Sequence, residues 1–426
     1  MRILVPLVAL LAVACTSGSG IGGPSEGGRE AAAASAGKSP VLTPTPATTP
    51  TPAPAPAPTS TLIPAGADLP RPYYAGPEWK TDFSKHSVKY SEIIAVRPPR
   101  DTIPPLDDPE FFLLSDVENY MPPEWPVLSL EINGEARAYP LAILIWHEIV
   151  NDEVGGVPVA ITYCPLCNTA IVFDRRVDGT VLDFGTSGLL RNSDLVMWDR
   201  QTESWWQQIT GEAIVGELTG ARLSFLPATV VSWGEFRRAF PDGQLLSRET
   251  GFGKAYGQPP YIGYDDTGSA PFAFTGSVDS RLDAMERVVG LNIGGRSVAY
   301  PFALLEQHPV VNDSVNGEDV VVFFGGETLS PFSGALTPDI KRGSNRVVGS
   351  TGVFEPFIDG RKLTFTLQGD EVVDEETGST WNIFGLAVDG ALAGRELTPV
   401  VHANHFWFAW AAFNADTTVR TVEELD

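Results

Sequence analysis

The chain has 426 residues, of which 43% are hydrophobic and 10 are Trp, enough to bury one large core or two ordinary ones. Its formal net charge of -24, with no run of Lys or Arg, excludes nucleic acid and an anionic bilayer surface as electrostatic partners, because both would repel it. Acidity of this kind suits an exported protein kept soluble by charge.

The N-terminus reads Met1-Arg2, an apolar run from Ile3 to Ala14, then Cys15-Thr16-Ser17-Gly18. A basic start, a short apolar stretch and small residues before a cysteine make a secretory signal over 1–15, too short to span a bilayer. Leu11-Ala12-Val13-Ala14-Cys15 looks like a bacterial lipobox, which makes Cys15 the expected lipidation site. The expected location is therefore extracytoplasmic, with the membrane as partner through a lipid anchor; plain secretion is the alternative. Residues 16–70 are rich in Gly, Ser and Ala, then alternate Pro with Thr and Ala from Pro40 to Pro58. That composition cannot bury a core and reads as a disordered, semi-rigid stalk. The lead-in 71–125, with scattered aromatics and prolines, is expected to wrap a domain edge.

From Val127 the pattern sharpens into a unit over 126–250. Val127 to Ile132, Asn133-Gly134 and Ala136 to Tyr139 predict a hairpin with an Asn-Gly turn. Pro140 can open a short buried helix running to Val150, with His147 near its end. Asn151-Asp152 and Gly155-Gly156 predict a turn, Val157 to Tyr163 a strand that delivers Cys164-Pro165-Leu166-Cys167, and Ala170 to Asp174 another strand. Asp178-Gly179 turns the chain, Val181 to Phe184 pairs back, and Leu195 to Trp198 continues the sheet. Ser232 and Glu235 have capping-box spacing ahead of a helix over Phe236 to Phe240.

This unit comes twice. Gly134 to Asp152 matches Gly295 to Asp313, with Tyr139-Pro140 returning as Tyr300-Pro301, His147 as His308 and Asn151-Asp152 as Asn312-Asp313. Asp199, Thr202, Ser204 and Trp206 return as Asp374, Thr377, Ser379 and Trp381, and Trp233 as Trp407. The expected fold class is α+β, β-rich, with two homologous tandem units packed pseudo-symmetrically: 126–250 with the cysteine pair, a connector over 251–286, and a diverged copy over 287–420. Positions kept in both halves belong to the fold, and groups found in one half are candidates for chemistry. Opposite the cysteines the second half has Gly325-Gly326-Glu327-Thr328, without a thiol. The loop Ser187 to Asp194 shortens there to Leu367-Gln368-Gly369, and Gln208 becomes Ile383, while Leu329 to Val348 is an insertion of the second half.

The candidate catalytic residues are Cys164, Cys167, Gln208 and Asp199, walled by Ser187, Gly188, Asn192, Ser193 and Trp206. Two thiols three residues apart can close a tight disulfide, hold one soft metal ion, or serve as attacking and resolving sulfurs. A disulfide over so short a loop removes little entropy from the unfolded chain and is a weak staple. Strand residues resume at Ala170, unlike the long helix that follows a thioredoxin motif. The expected cofactor is copper or zinc on Cys164 and Cys167. His147 is a further candidate ligand or base, although its twin His308 faces no cysteine, which favours a helix-end hydrogen bond. His402 and His405, three apart, could share a helix face and bind a metal.

At Trp146 to Asp152, Thr162 to Asn168, Phe184 to Leu190 and Asn192 to Thr202 the chain resembles a bacterial family known as domain of unknown function 3179. The resemblance covers about Val127 to Glu249 and implies the motif and location but no activity. Two functions are carried forward: a metal-binding or thiol-redox site in an extracytoplasmic lipoprotein, and a non-enzymatic cell-surface binding protein with a structural disulfide.

Overall fold

Asn133 and Gly134 turn the chain as their residue types require. In the computed structural model, which describes residues 71–117, 120–333 and 346–424, strand Pro126–Ile132 pairs with Glu135–Pro140 across a turn whose Asn133 and Gly134 have φ of 53° and 83°. Positive φ at both central residues matches the right-handed twist of the flanking strands. The signal segment, Cys15 and the Pro/Thr-rich stretch lie outside the described residues.

The following helix, Leu141–His147, is shorter than expected. Glu148 ends it in the left-handed conformation, φ 60°, and Ile149–Val154 then runs as a strand paired with Val157–Cys164. Gly155 and Gly156 alone make the turn, and Asn151 and Asp152 sit within the strand. Apolar residues on a buried strand and on a buried helix are indistinguishable by pattern, so the run past His147 misleads.

Among the described residues the first half holds three larger sheets and a two-stranded one, Arg176–Val177 with Thr180–Val181. One carries Ile149–Val154, Val157–Cys164, Thr169–Asp174 and Ser224–Leu226. A second begins with Ile93–Ala95 from the lead-in and continues through Phe184–Arg191, Asp194–Asp199, Trp205–Gln207 and Glu212–Val215. The third takes Phe111–Leu113, also from the lead-in, beside Gln244–Leu246 and the first hairpin. The lead-in thus supplies edge strands as well as a wrapping. The helix after Ser232 spans Trp233–Ala239, with Ser232 and Glu235 forming the capping box. The fold is β-rich with few helices.

In the second half, Arg287–Ile293 pairs with Arg296–Pro301, Val310–Val315 with Glu318–Gly325, and Phe365–Gln368 with Glu371–Asp374. Several polar braces occur in each half. Tyr139 donates to Asp152 and Tyr300 to Asp313, both at 2.6 Å. Trp206 Nε1 donates to Asp199 at 2.9 Å, and Trp381 Nε1 to Asp374 at 3.0 Å. Asn151 exchanges two hydrogen bonds with the Phe184 backbone, as Asn312 does with Phe365. The main core joins Val159, Ile161, Cys164, Cys167 and Trp206 to Phe332, Phe406 and Phe408 of the second half. Among the described residues no helix is long and apolar enough to cross a membrane.

Candidate metal centre

Strand Val157–Cys164 delivers Cys164, and Pro165, with its φ preset, starts the single 3₁₀ turn Pro165–Cys167. Asn168 then takes a left-handed conformation, φ 52°, and Thr169 pairs back with Cys164. The motif is therefore a tight hairpin loop that returns both sulfurs to one side. Both cysteines are free thiols and buried, at 2% and 0% exposure.

Asp194 completes the group. Sulfur and carboxylate ligand atoms of Cys164, Cys167 and Asp194 lie within 4.8 Å of one another, and all three residues are buried. Asp194 Oδ2 accepts from Gln207 Nε2 at 2.6 Å and from the Ile209 amide at 3.0 Å. Its Oδ1 is buried with no nitrogen or oxygen donor against it, which leaves the Cys164 and Cys167 thiols as the groups that can donate to the carboxylate. A buried carboxylate oxygen without a partner is costly, and here it stands beside two thiols.

The electrostatics favour protons or a cation. Burial pushes the Cys164 thiol up and the Cys167 thiol well up, with Asp194 adding to each shift. Burial also raises Asp194 to about 6, against hydrogen bonds from Ile209 and Gln207. Glu148 goes up to about 8, again chiefly by burial, with Arg97 opposing and Asp194 adding. Four acidic groups thus face one another in low dielectric, where their charged forms repel. Arg97, at the surface, is the cation felt by Glu148.

Arg97 is held by Gly188, whose carbonyl accepts from the Val96 and Arg97 amides. Gly188 has φ 75°, and a Cβ there would collide with the Arg97 carbonyl. Gly188→Ala is expected to cost about 1–3 kcal/mol of stability, read by denaturant unfolding.

The expected loop Ser187 to Asp194 is instead a long hairpin. Phe184–Arg191 pairs with Asp194–Asp199 through a turn with Asn192 and Ser193 at φ 51° and 69°, and a bulge falls between Thr186 and Leu189. The Ser193 carbonyl accepts from the Cys164 thiol at 3.7 Å, and its hydroxyl donates to the Phe272 carbonyl at 2.5 Å. Ser187 Oγ is spent on the Val196 carbonyl. Asp199 and Trp206 are hydrogen-bonded to each other, and Asp199 also accepts from Thr202. Gln208 donates to Thr162 Oγ1 at 2.9 Å and to the Thr169 carbonyl at 3.2 Å, tying the strands on either side of the cysteine loop. His147 has both ring nitrogens engaged, by the Pro104 carbonyl at 2.7 Å and Tyr256 OH at 2.6 Å. Among the described residues the group able to hold an ion does not include it. His402 and His405 lie on strand His402–Phe406 and not on a helix.

The connector covers the site. Tyr264 OH donates to the Leu166 carbonyl at 3.1 Å, and Tyr261 stands close enough to Glu148 and Cys164 to feel both, its hydroxyl raised to about 12 chiefly by burial.

Residues 100–417 match the family model described as protein of unknown function (DUF3179). The chain belongs to that family. No curated protein and no solved structure matches it. The span shared with the DUF3179 family takes in Cys164, Cys167, Asp194, Glu148, the connector and nearly all of the second half.

Proposed function

We propose that this chain is a metal-binding protein whose ion sits on Cys164, Cys167 and Asp194. The observation that carries the reading is the buried trio within 4.8 Å, with only thiols left to satisfy Asp194 Oδ1. Bonds of about 2.0–2.3 Å in a tetrahedral zinc site put ligand atoms roughly 3.3–3.8 Å apart, so closing on an ion asks for shifts of about 1–1.5 Å at most. Two thiolates with one carboxylate suit zinc better than copper(I), because a hard oxygen donor is a poor partner for a soft monovalent ion. A thiol-redox role fits less well, since reactive cysteines have depressed pKa values and solvent access. Here burial raises both thiols.

The test is substitution with cobalt(II), whose thiolate charge-transfer absorption reports sulfur ligation. The expected result is a spectrum of a two-sulfur tetrahedral site that disappears in Cys164→Ser and Cys167→Ser. Absence of that absorption in the reduced protein would overturn the proposal.

A pH dependence follows. Glu148 and Asp194 both have folded values above their unfolded ones, at about 8 and about 6. Each therefore stabilises the metal-free fold fully below its unfolded value near 4, and that contribution is lost as pH rises through 6 and then 8. Thermal melts of the metal-free protein are expected to fall steadily from pH 5 to pH 8.5. Zinc affinity moves oppositely, because binding displaces protons.

The two halves are read as copies of one unit, supported by the repeated Tyr-Asp, Trp-Asp and Asn braces. The second copy, without thiols, serves as scaffold. Signal cleavage and lipidation at Cys15 remain part of the proposal, supported by the residues around that cysteine.

A further inference from the structure

The seam between the halves holds a second pocket, which adjoins the cysteine loop at Thr169. Strand Thr169–Asp174 of the first half lies against strand His402–Phe406 of the second, and between them opens a pocket of about 240 Å³. Its walls are mostly apolar, with Ala170, Ile209 and Phe225 on one side and Ala403 and Trp410 on the other. Gly290 makes room for it, since a Cβ there would run into the rings of Trp410 and His405.

Two histidines line the pocket. His402 Nδ1 contacts the Val400 carbonyl at 2.9 Å, and its Nε2 is buried without a partner. His405 is 2% exposed, and burial lowers its pKa to about 3, so the imidazole is neutral. Its Nδ1 meets the Thr169 hydroxyl at 2.9 Å, and that hydroxyl also reaches the Cys167 carbonyl at 3.2 Å. With Nδ1 engaged, a neutral imidazole offers Nε2 as its remaining hydrogen-bonding atom. Among the described residues His405 has no other hydrogen bond.

We propose that this pocket binds a small, uncharged, largely apolar molecule carrying one hydroxyl, which hydrogen-bonds His405 Nε2 as donor or acceptor. An apolar cavity of about 150 Å³ already accepts benzene, so one ring with a polar substituent fits the volume here. Apolar walls disfavour an ion. A site built around a buried hydrogen-bonding atom also rejects an analogue without a partner for it, because that atom is then left unpaired.

The experiment titrates the full chain with phenol and with toluene, which has the same shape and no donor, using isothermal calorimetry. The account expects saturable phenol binding at one site, at least tenfold tighter than toluene, and at least a tenfold loss in His405→Ala. Phenol binding should be the same with and without one equivalent of zinc, which separates this site from the metal reading. Equal binding of phenol and toluene, no saturation by phenol, or wild-type phenol binding by His405→Ala would each overturn the proposal. Should His405→Ala fail to fold, Ala228→Phe fills the pocket from its rim; the proposal expects phenol binding to vanish there, and unchanged binding overturns it.

Discussion

Asp194→Asn lowers zinc affinity by more than about a hundredfold, beyond the ten- to hundredfold typical of a change outside the ligand set. Asn keeps an oxygen for Gln207 and Ile209, so the hydrogen bonds that hold the side chain survive. What it loses is the negative charge and the second oxygen beside the cysteines. Removing a buried carboxylate from a group of acids relieves repulsion, so the metal-free variant melts no lower than the wild type at pH 8. The contrast appears on adding zinc. An ion held at a thousand times its dissociation constant stabilises the native state by about 4 kcal/mol, and the variant forfeits most of that. Competition titration with a chromophoric chelator, beside melts with and without zinc, checks both halves of the expectation. A variant that takes up zinc like the wild type would remove Asp194 from the ligand set.

Trp206→Ala is the second large effect, at about 3–5 kcal/mol of stability. The indole is fully buried, and its Nε1 is a partner of the buried Asp199 carboxylate. Trp381→Ala is expected to cost the same, for Trp381 is held by Asp374 in the same way. The pair distinguishes bracing from chemistry. If Trp206 and Asp199 brace the fold, the protein with Trp381→Ala binds zinc normally, and any loss in Trp206→Ala tracks its lowered stability. Denaturant unfolding together with zinc content at a temperature where both variants are folded makes the comparison.

Much of the architecture was legible because turn chemistry is local. Asn133-Gly134 and the Ser232/Glu235 capping box need only their own residues to act, and both appear where the pattern predicts. The helix end at Glu148 was not legible, since Ile149 and Val150 are apolar in a strand for the same reason they would be in a helix. At the site, the cysteine pair announces itself, but its third member does not. Asp194 opens a strand after an Asn192-Ser193 turn, in a hairpin that runs Phe184–Arg191 and Asp194–Asp199. The hairpin that the proposed repeat sets against it, Phe365–Gln368 and Glu371–Asp374, is shorter, and the acid that opens its second strand, Glu371, is exposed. That difference shows in the sequence as a one-sided loop, in which the serines and Asn192 read as binding groups and the acid at its end gives no separate signal. Glu148, set against Pro309 in the proposed repeat, differs between the halves in the same way. Gln207 and Gln208 divide their work in a way no spacing reveals: Gln207, the last residue of its strand, reaches Asp194, and Gln208, in the turn just past it, reaches the cysteine hairpin.

The most direct measurement is X-ray absorption at the zinc edge of the reduced protein loaded with one equivalent of zinc, paired with native mass spectrometry of the same sample. The expected result is a single bound zinc with two sulfur neighbours and at least one oxygen neighbour. A protein that stays metal-free, or one whose zinc has no sulfur in its first shell, would contradict it.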